Sequence, residues 1–134
     1  MELLISKYLP GEKPDVTLPS IKMFEILGEE GIRSLVSNHY DLLVQSEIKN
    51  LFPKNPLALE KAKEHSADFF IQICGGPMYF NKNRGKPMLN RRHLPFKITA
   101  EGRGTWLECY KTALQKTKLP DDVLLSFWNY LDVF

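Results

Sequence analysis

The 134-residue sequence predicts an all-α domain, and three observations carry that expectation. Apolar residues recur at helical spacing in four separate stretches. Each stretch is bounded by residues that start or stop helices. Alternating strand-like patterns, internal repeats and low-complexity tracts are absent from the chain.

Residues 1–19 hold Pro10, Pro14, Pro19 and a Gly11-Glu12-Lys13-Pro14-Asp15 turn, so a largely irregular extension is expected ahead of a domain spanning 20–134. A short helix fits Ser20 to Leu27, closed by Gly28. Ile32, Leu35, Val36, His39, Tyr40 and Leu43 then keep helical register and put Tyr40 on a buried face. A brief segment through Ile48 and Leu51 ends at Phe52-Pro53, where proline removes a backbone donor. The stretch from Pro56 to Cys74 presents Ala62, His65, Ser66, Phe69, Phe70 and Ile73 inward, and Gly75-Gly76-Pro77 stops it.

Residues 78–87 read as loop, and Met88 to His93 as a short helix that Pro95 cannot extend. Thr99 suits the N-cap of a helix whose stripe is Trp106, Leu107, Tyr110, Ala113 and Leu114, with Gly102 and Gly104 weakening its first turn. Pro120 followed by Asp121 and Asp122 opens a last helix that buries Leu124, Phe127, Trp128 and Leu131.

Composition narrows the function classes. A hydrophobic fraction of 43% in a chain this long suits one globular domain with a sizeable core. Eighteen basic against 16 acidic residues give no global ground for a nucleic-acid or membrane-surface partner, although Lys82, Arg84, Lys86, Arg91 and Arg92 form a local basic cluster. Cys74 and Cys109 lie far apart with no Cys-x-x-Cys, which argues against a zinc or disulfide framework and for a reducing cytoplasm. The N-terminal apolar run is too short for a signal peptide, and no stretch is long enough to span a membrane.

Familiar catalytic signatures are missing. There is no His-Glu-x-x-His, no phosphate-binding Gly-rich loop and no Gly-x-Ser-x-Gly elbow. Gly102-Arg103-Gly104 lacks a third glycine, and His39, His65 and His93 do not show zinc-ligand spacing. What remains is the stretch from Gly75 to Phe96, GGPMYFNKNRGKPMLNRRHLPF. It fixes His93 at the end of a helical piece, ahead of Pro95 and beside Phe96, with Arg91 and Arg92 adjacent. One imidazole held this way, opposite the donors of Tyr40 and Trp106, suits the iron of a flat cofactor whose carboxylates meet arginine. By pattern alone, Tyr40 and Trp106 read equally well as core aromatics, and His93 as a structural histidine.

Taken together, Gly75-Gly76-Pro77, Arg84-Gly85-x-Pro87, Arg92-His93-x-Pro95-Phe96 and Trp106-Leu107 resemble the signature of group II truncated (two-over-two) haemoglobins, over about Phe24 to Leu131. The resemblance implies a shortened globin fold, two helix pairs sandwiching haem b, with His93 as the proximal ligand of a five-coordinate iron. It implies reversible binding of oxygen and other diatomic ligands, carbon monoxide and nitric oxide among them. By the same match Tyr40 and Trp106 are distal donors, Ser66 a third, and Ala62 stands at the gate. Phe52, His65, Phe69, Phe70, Tyr79, Met88, Arg92, Phe96 and Ile98 surround the cofactor.

The match leaves two functions open, oxygen binding or transport and a redox enzyme acting on nitric oxide or peroxide with a separate reductase, and it leaves open monomer or homodimer. The chain departs from the family pattern at four points. Phe80 stands where a tyrosine is usual, with Tyr79 next to it. Cys74 replaces a bulky apolar residue, His39 replaces a phenylalanine, and the chain stops at Phe134, before the family's last helix usually ends.

Overall fold

The computed structural model describes residues 3–6, 17–84 and 99–133. These contain α1 (Lys22–Leu43), a 3-10 turn (Lys49–Leu51), α2 (Pro56–Ile73), α3 (Tyr79–Arg84), α4 (Ala100–Leu114) and α5 (Asp121–Asp132), and among the described residues there is no strand. The expected helix from Met88 to His93 lies outside the described residues.

α1 is broken at Gly28, whose φ of 67° and ψ of −178° lie outside the helical range. Glycine adopts that backbone without steric penalty, so the chain ends one helix and starts another there. After the break Ile32, Leu35, Val36, His39 and Leu43 are buried, as the periodicity predicts, while Tyr40 is half-buried.

α2 starts with Pro56 behind the cap Asn55, whose side chain accepts from the N–H groups of Leu57 and Ala58. It ends with Gly75 at φ 96°, while the N–H of Gly76 donates to the carbonyl of Ile71 at 2.8 Å and that of Gly75 to Gln72 at 3.3 Å. This is a Schellman stop, which supplies partners to carbonyls that the helix leaves over. Gly76 also permits a close approach: a Cβ there would lie 2.6 Å from Cε2 of Phe24 and 2.7 Å from Cγ2 of Ile71. Gly76→Ala should therefore destabilise the protein by about 1–3 kcal/mol through overpacking. Urea denaturation checks this, and an unchanged midpoint would mean that Phe24 swings aside at no cost.

The buried face of α2 is wider than its predicted stripe. Ala67, Asp68 and Ile71 are buried along with Phe69 and Phe70, because α2 packs against both α1 and α3. His65, expected on the inner face, is exposed: it sits about 90° of helical rotation from the centre of the Ser66–Phe69–Phe70–Ile73 stripe, at its edge.

The loop expected over residues 78–87 is corrected over Tyr79–Arg84, which is helical. Phe80 is buried with its ring 5.7 Å from Phe69. The side chain of Gln72 accepts from the Asn81 N–H at 2.9 Å and donates to the Asn81 side chain at 3.0 Å. Asn81 and Asn83 are poor helix formers, so tertiary burial decides the conformation against local propensity.

α4 carries the expected cap, Thr99 Oγ1 accepting from the Gly102 N–H at 2.9 Å. α5 begins behind Pro120 with Asp121 and Asp122 in its first turn, where their charge complements the helix dipole. Phe70 of α2, Tyr110 of α4 and Phe127 of α5 meet edge to face with centroids 5.5 to 6.0 Å apart and join three helices in one core.

Residues 3–6 lie across α4 and α5. Leu3 is buried, Trp128 Nε1 donates to the Leu4 carbonyl at 2.7 Å, and the Ser6 N–H donates to Asp132 Oδ1 at 2.9 Å. Arg103 of α4 completes the tie by donating to the Ser6 carbonyl at 2.8 Å and to the carboxylate and carbonyl of Asp132. On another side, Arg33–Asp68 and Lys63–Asp41, each at 2.8 Å, fasten α1 to α2. Among the described residues, no helix is long and apolar enough to cross a membrane.

Candidate functional site

α1, α2 and the segment after the 3-10 turn bring three of the predicted residues together. The Tyr40 hydroxyl is hydrogen-bonded to the side chain of Ser66 on α2. Burial holds the Tyr40 phenol above its ordinary pKa, and the Ser66 hydrogen bond opposes that shift. The Tyr40 ring meets Phe52 edge-on at 5.7 Å and 86°. Ala62 is half-buried one turn before Ser66 on the same helix.

Trp106, half-buried on α4, reaches this group through His39, a residue outside the predicted site. His39 precedes Tyr40 on α1, is 1% exposed, and has its Nε2 3.0 Å from the Trp106 carbonyl. Its ring stands 5.2 Å from the indole at 86° and 6.1 Å from Tyr40 at 76°, and it stacks on Tyr110 at 3.4 Å and 20°. Burial lowers the His39 pKa to about 3, against the opposing effect of the carbonyl hydrogen bond, so the ring is neutral at physiological pH. A polar ring at a stripe position was the available signal, but spacing alone could not show what it binds.

Phe69 and Phe70 are buried behind the site, 5.3 Å apart, Phe69 against Phe80 and Phe70 against Tyr110 and Phe127. The Tyr110 hydroxyl is a buried oxygen with no hydrogen-bond partner among the described residues. Burial, then the charges of Tyr40 and Cys74, push its pKa well above the usual phenol value. Tyr79 makes its contacts with α1: its hydroxyl is hydrogen-bonded to Glu29, which raises its pKa, and the Arg33 guanidinium lies 5.9 Å over its ring. His65 is exposed one residue before Ser66. Cys74 is fully buried, its pKa pushed up to about 12, so it stays a thiol; it and Cys109 are both free. His93, Met88, Arg92, Phe96 and Ile98 lie outside the described residues.

A short helical sandwich that brings Tyr40 and Ser66 together beside Phe52 is that of a globin of the two-over-two type. The chain belongs to the bacterial-like globin family, which matches residues 22–133, and within it to the group II truncated haemoglobins. It is 34% identical over 111 residues to the group 2 truncated haemoglobin YjbI of Bacillus subtilis (strain 168), covering 82% of each protein. Among solved structures it resembles phosphate-bound Hell's gate globin IV, at 37% identity and a TM-score of 0.89 over 98% of this chain and 82% of that one. It also resembles the truncated oxygen-avid haemoglobin from Bacillus subtilis, at 32% identity and a TM-score of 0.76 over 82% and 92% of the two chains.

Family membership implies a haem-binding globin, and the chemistry of the described donors fits that cofactor. Phe52 and Trp106, both half-buried, offer apolar aromatic surface of the kind a porphyrin packs against, with Phe69 and Phe70 in the core behind. The Tyr40 and Ser66 hydroxyls and the Trp106 indole N–H are hydrogen-bond donors.

Proposed function

We propose that this protein binds haem b through His93 and reversibly holds a diatomic gas, oxygen foremost, with Tyr40, Ser66 and Trp106 as the residues that retain it. Residues 20–134 form the haem-binding unit and residues 1–19 an extension; two free cysteines suit a reducing cytoplasm. Haem, when bound, would supply an iron able to bind such a gas. The observation that carries the reading is the hydrogen bond joining the Tyr40 and Ser66 hydroxyls beside Phe52.

Two hydroxyls that share one hydrogen bond use one hydrogen and leave the other to point at a ligand. Burial keeps the Tyr40 phenol protonated at any physiological pH, so that donor is always present. The flanking rings keep water away, which strengthens a hydrogen bond to a ligand that gains negative charge. Ala62, a small residue one turn before Ser66, stands at the gate in this reading. In this reading Arg92 meets the cofactor's carboxylates, and Phe96, Met88 and Ile98 pack against its ring.

Tyr40→Phe tests the donor role. It removes one neutral or charge-assisted hydrogen bond of about 1–2 kcal/mol, so oxygen dissociation should speed up roughly five- to thirtyfold. Carbon monoxide, a weaker acceptor, should be affected less. Stopped-flow displacement measures both, and an unchanged oxygen rate would remove Tyr40 from the mechanism. His93→Ala, titrated with haem, should lose the Soret band of the wild type.

A further inference from the structure

We propose that His39 is a positioning residue for the ligand donors: it locks α4, and with it Trp106, in register with Tyr40 on α1. Because the partner is a carbonyl oxygen, Nε2 must be the donor, which fixes the neutral Nε2–H tautomer and leaves Nδ1 bare. The Trp106 carbonyl already serves the helical ladder of α4, where the N–H of the fourth residue onward is its partner. His39 takes the second lone pair of that oxygen, so the bond crosses from one helix to the next without breaking either.

The imidazole is clamped on both sides of that bond. Tyr110, one turn beyond Trp106, stacks flat against it, and the indole of Trp106 stands on its edge. Sliding or rotating α4 past α1 would break the hydrogen bond and the stack together. Tyr40 is the next residue in the chain, so the donors on the two helices are joined through one rigid ring.

α4 needs such an anchor. Its first turns contain Gly102 and Gly104, each weakening a helix by about 1 kcal/mol relative to alanine. A Cβ at Gly104 would meet nothing within 4 Å, so packing does not demand that glycine. Arg103 ties the N-terminal turn to Asp132 and Ser6, and His39 ties the next turn to α1. A phenylalanine would fill the same space and stack on Tyr110 without the cost of burying a polar ring. The retained imidazole therefore supplies what a phenyl cannot, a directed hydrogen bond.

This inference rests on the proposed gas-binding role, and the test separates the two. The full chain with haem, in its ferrous carbon monoxide form, is compared as wild type, His39→Phe and His39→Gln. Phenylalanine keeps the ring and removes the donor; glutamine restores a donor at similar reach and removes the ring. His39→Phe should shift or broaden the Trp106 indole N–H resonance, assigned with a Trp128→Phe control, and should raise oxygen release at least about fivefold, the worth of one hydrogen bond. His39→Gln should return the rate to within about twofold of wild type. Imidazole nitrogen shifts of the wild type should report Nε2–H. Wild-type oxygen release and an unmoved Trp106 signal in His39→Phe would overturn the role, as would equal effects of the two variants or an Nδ1–H tautomer. Failure of the wild type to give a Soret band with haem would instead overturn the haem reading; the Trp106 resonance of the haem-free chain would then decide the positioning role by itself.

Discussion

As pH falls from 6.5 towards 3, folding stability should drop with a contribution from His39 of up to about 1.4 kcal/mol per unit. The sign follows from where the proton binds. In the unfolded chain His39 takes up a proton near its ordinary pKa of 6.5, whereas in the folded protein burial holds it neutral down to about 3. Above 6.5 both states are neutral and the term vanishes. Below it the unfolded state binds the extra proton and gains, until the folded imidazole also titrates.

The groups that face the ring are Tyr40 on its own helix and Trp106 and Tyr110 on α4. None carries a charge in this range that would help the folded state accept the proton, and both tyrosines have raised pKa values. Urea denaturation of wild type and His39→Phe at several pH values isolates the effect from that of other groups. Relative to its value at pH 7.5, the stability difference should move by about 2–3 kcal/mol in favour of the variant at pH 4.5. A difference that stays constant with pH would mean that the folded protein protonates His39 as readily as the unfolded chain does.

The same residue marks where the sequence stops being legible. Helical periodicity and end signals located α1 with its break at Gly28, α2 with its stop at Gly75, and the Thr99 cap of α4, because each rests on residues close together in the chain. His39 was visible as a polar residue on an apolar stripe, but its partner is a backbone carbonyl 67 positions away. No spacing rule encodes that. α3 was hidden for a related reason: its asparagines read as loop until Phe80 is seen buried against Phe69. Asp68 sits among apolar neighbours in sequence, and only the fold brings Arg33, 35 positions earlier, to within 2.8 Å of it. For the site, the family resemblance named Tyr40, Ser66 and Phe52, while their hydrogen bond and edge-on ring contact emerged from the packing of α1 against α2. Tyr79 was named by adjacency to Phe80, and its contacts with Glu29 and Arg33 depend on how α3 lies against α1.

Replacing Arg33 by methionine should destabilise the protein by about 2–3 kcal/mol. The Asp68 side chain is 3% exposed and holds the Arg33 guanidinium at 2.8 Å, whereas Arg33 is 36% exposed and also lies 3.7 Å from Glu29. Water reaches the cation and screens it, so the expected loss lies below the 3–5 kcal/mol typical of a broken, fully buried pair. Methionine preserves most of the arginine stem's packing, and what is lost is chiefly the countercharge to a carboxylate inside the protein. Pairing Arg33→Met with Asp68→Leu should recover much of the loss, since an apolar pair of similar volume removes the buried charge altogether. Denaturation midpoints of the two single variants and the double variant measure the coupling, and an Arg33→Met protein within about 0.5 kcal/mol of wild type would show that the pair contributes little. The effect should reach the site as well. Asp68 lies two residues beyond Ser66, and the pair fastens α2 to α1, the helices whose hydroxyls meet at Ser66 and Tyr40. Loosening it should let that hydrogen bond lengthen, so oxygen release should rise in Arg33→Met and fall back in the double variant. A stability loss without that parallel change in release would confine Arg33 and Asp68 to holding the fold.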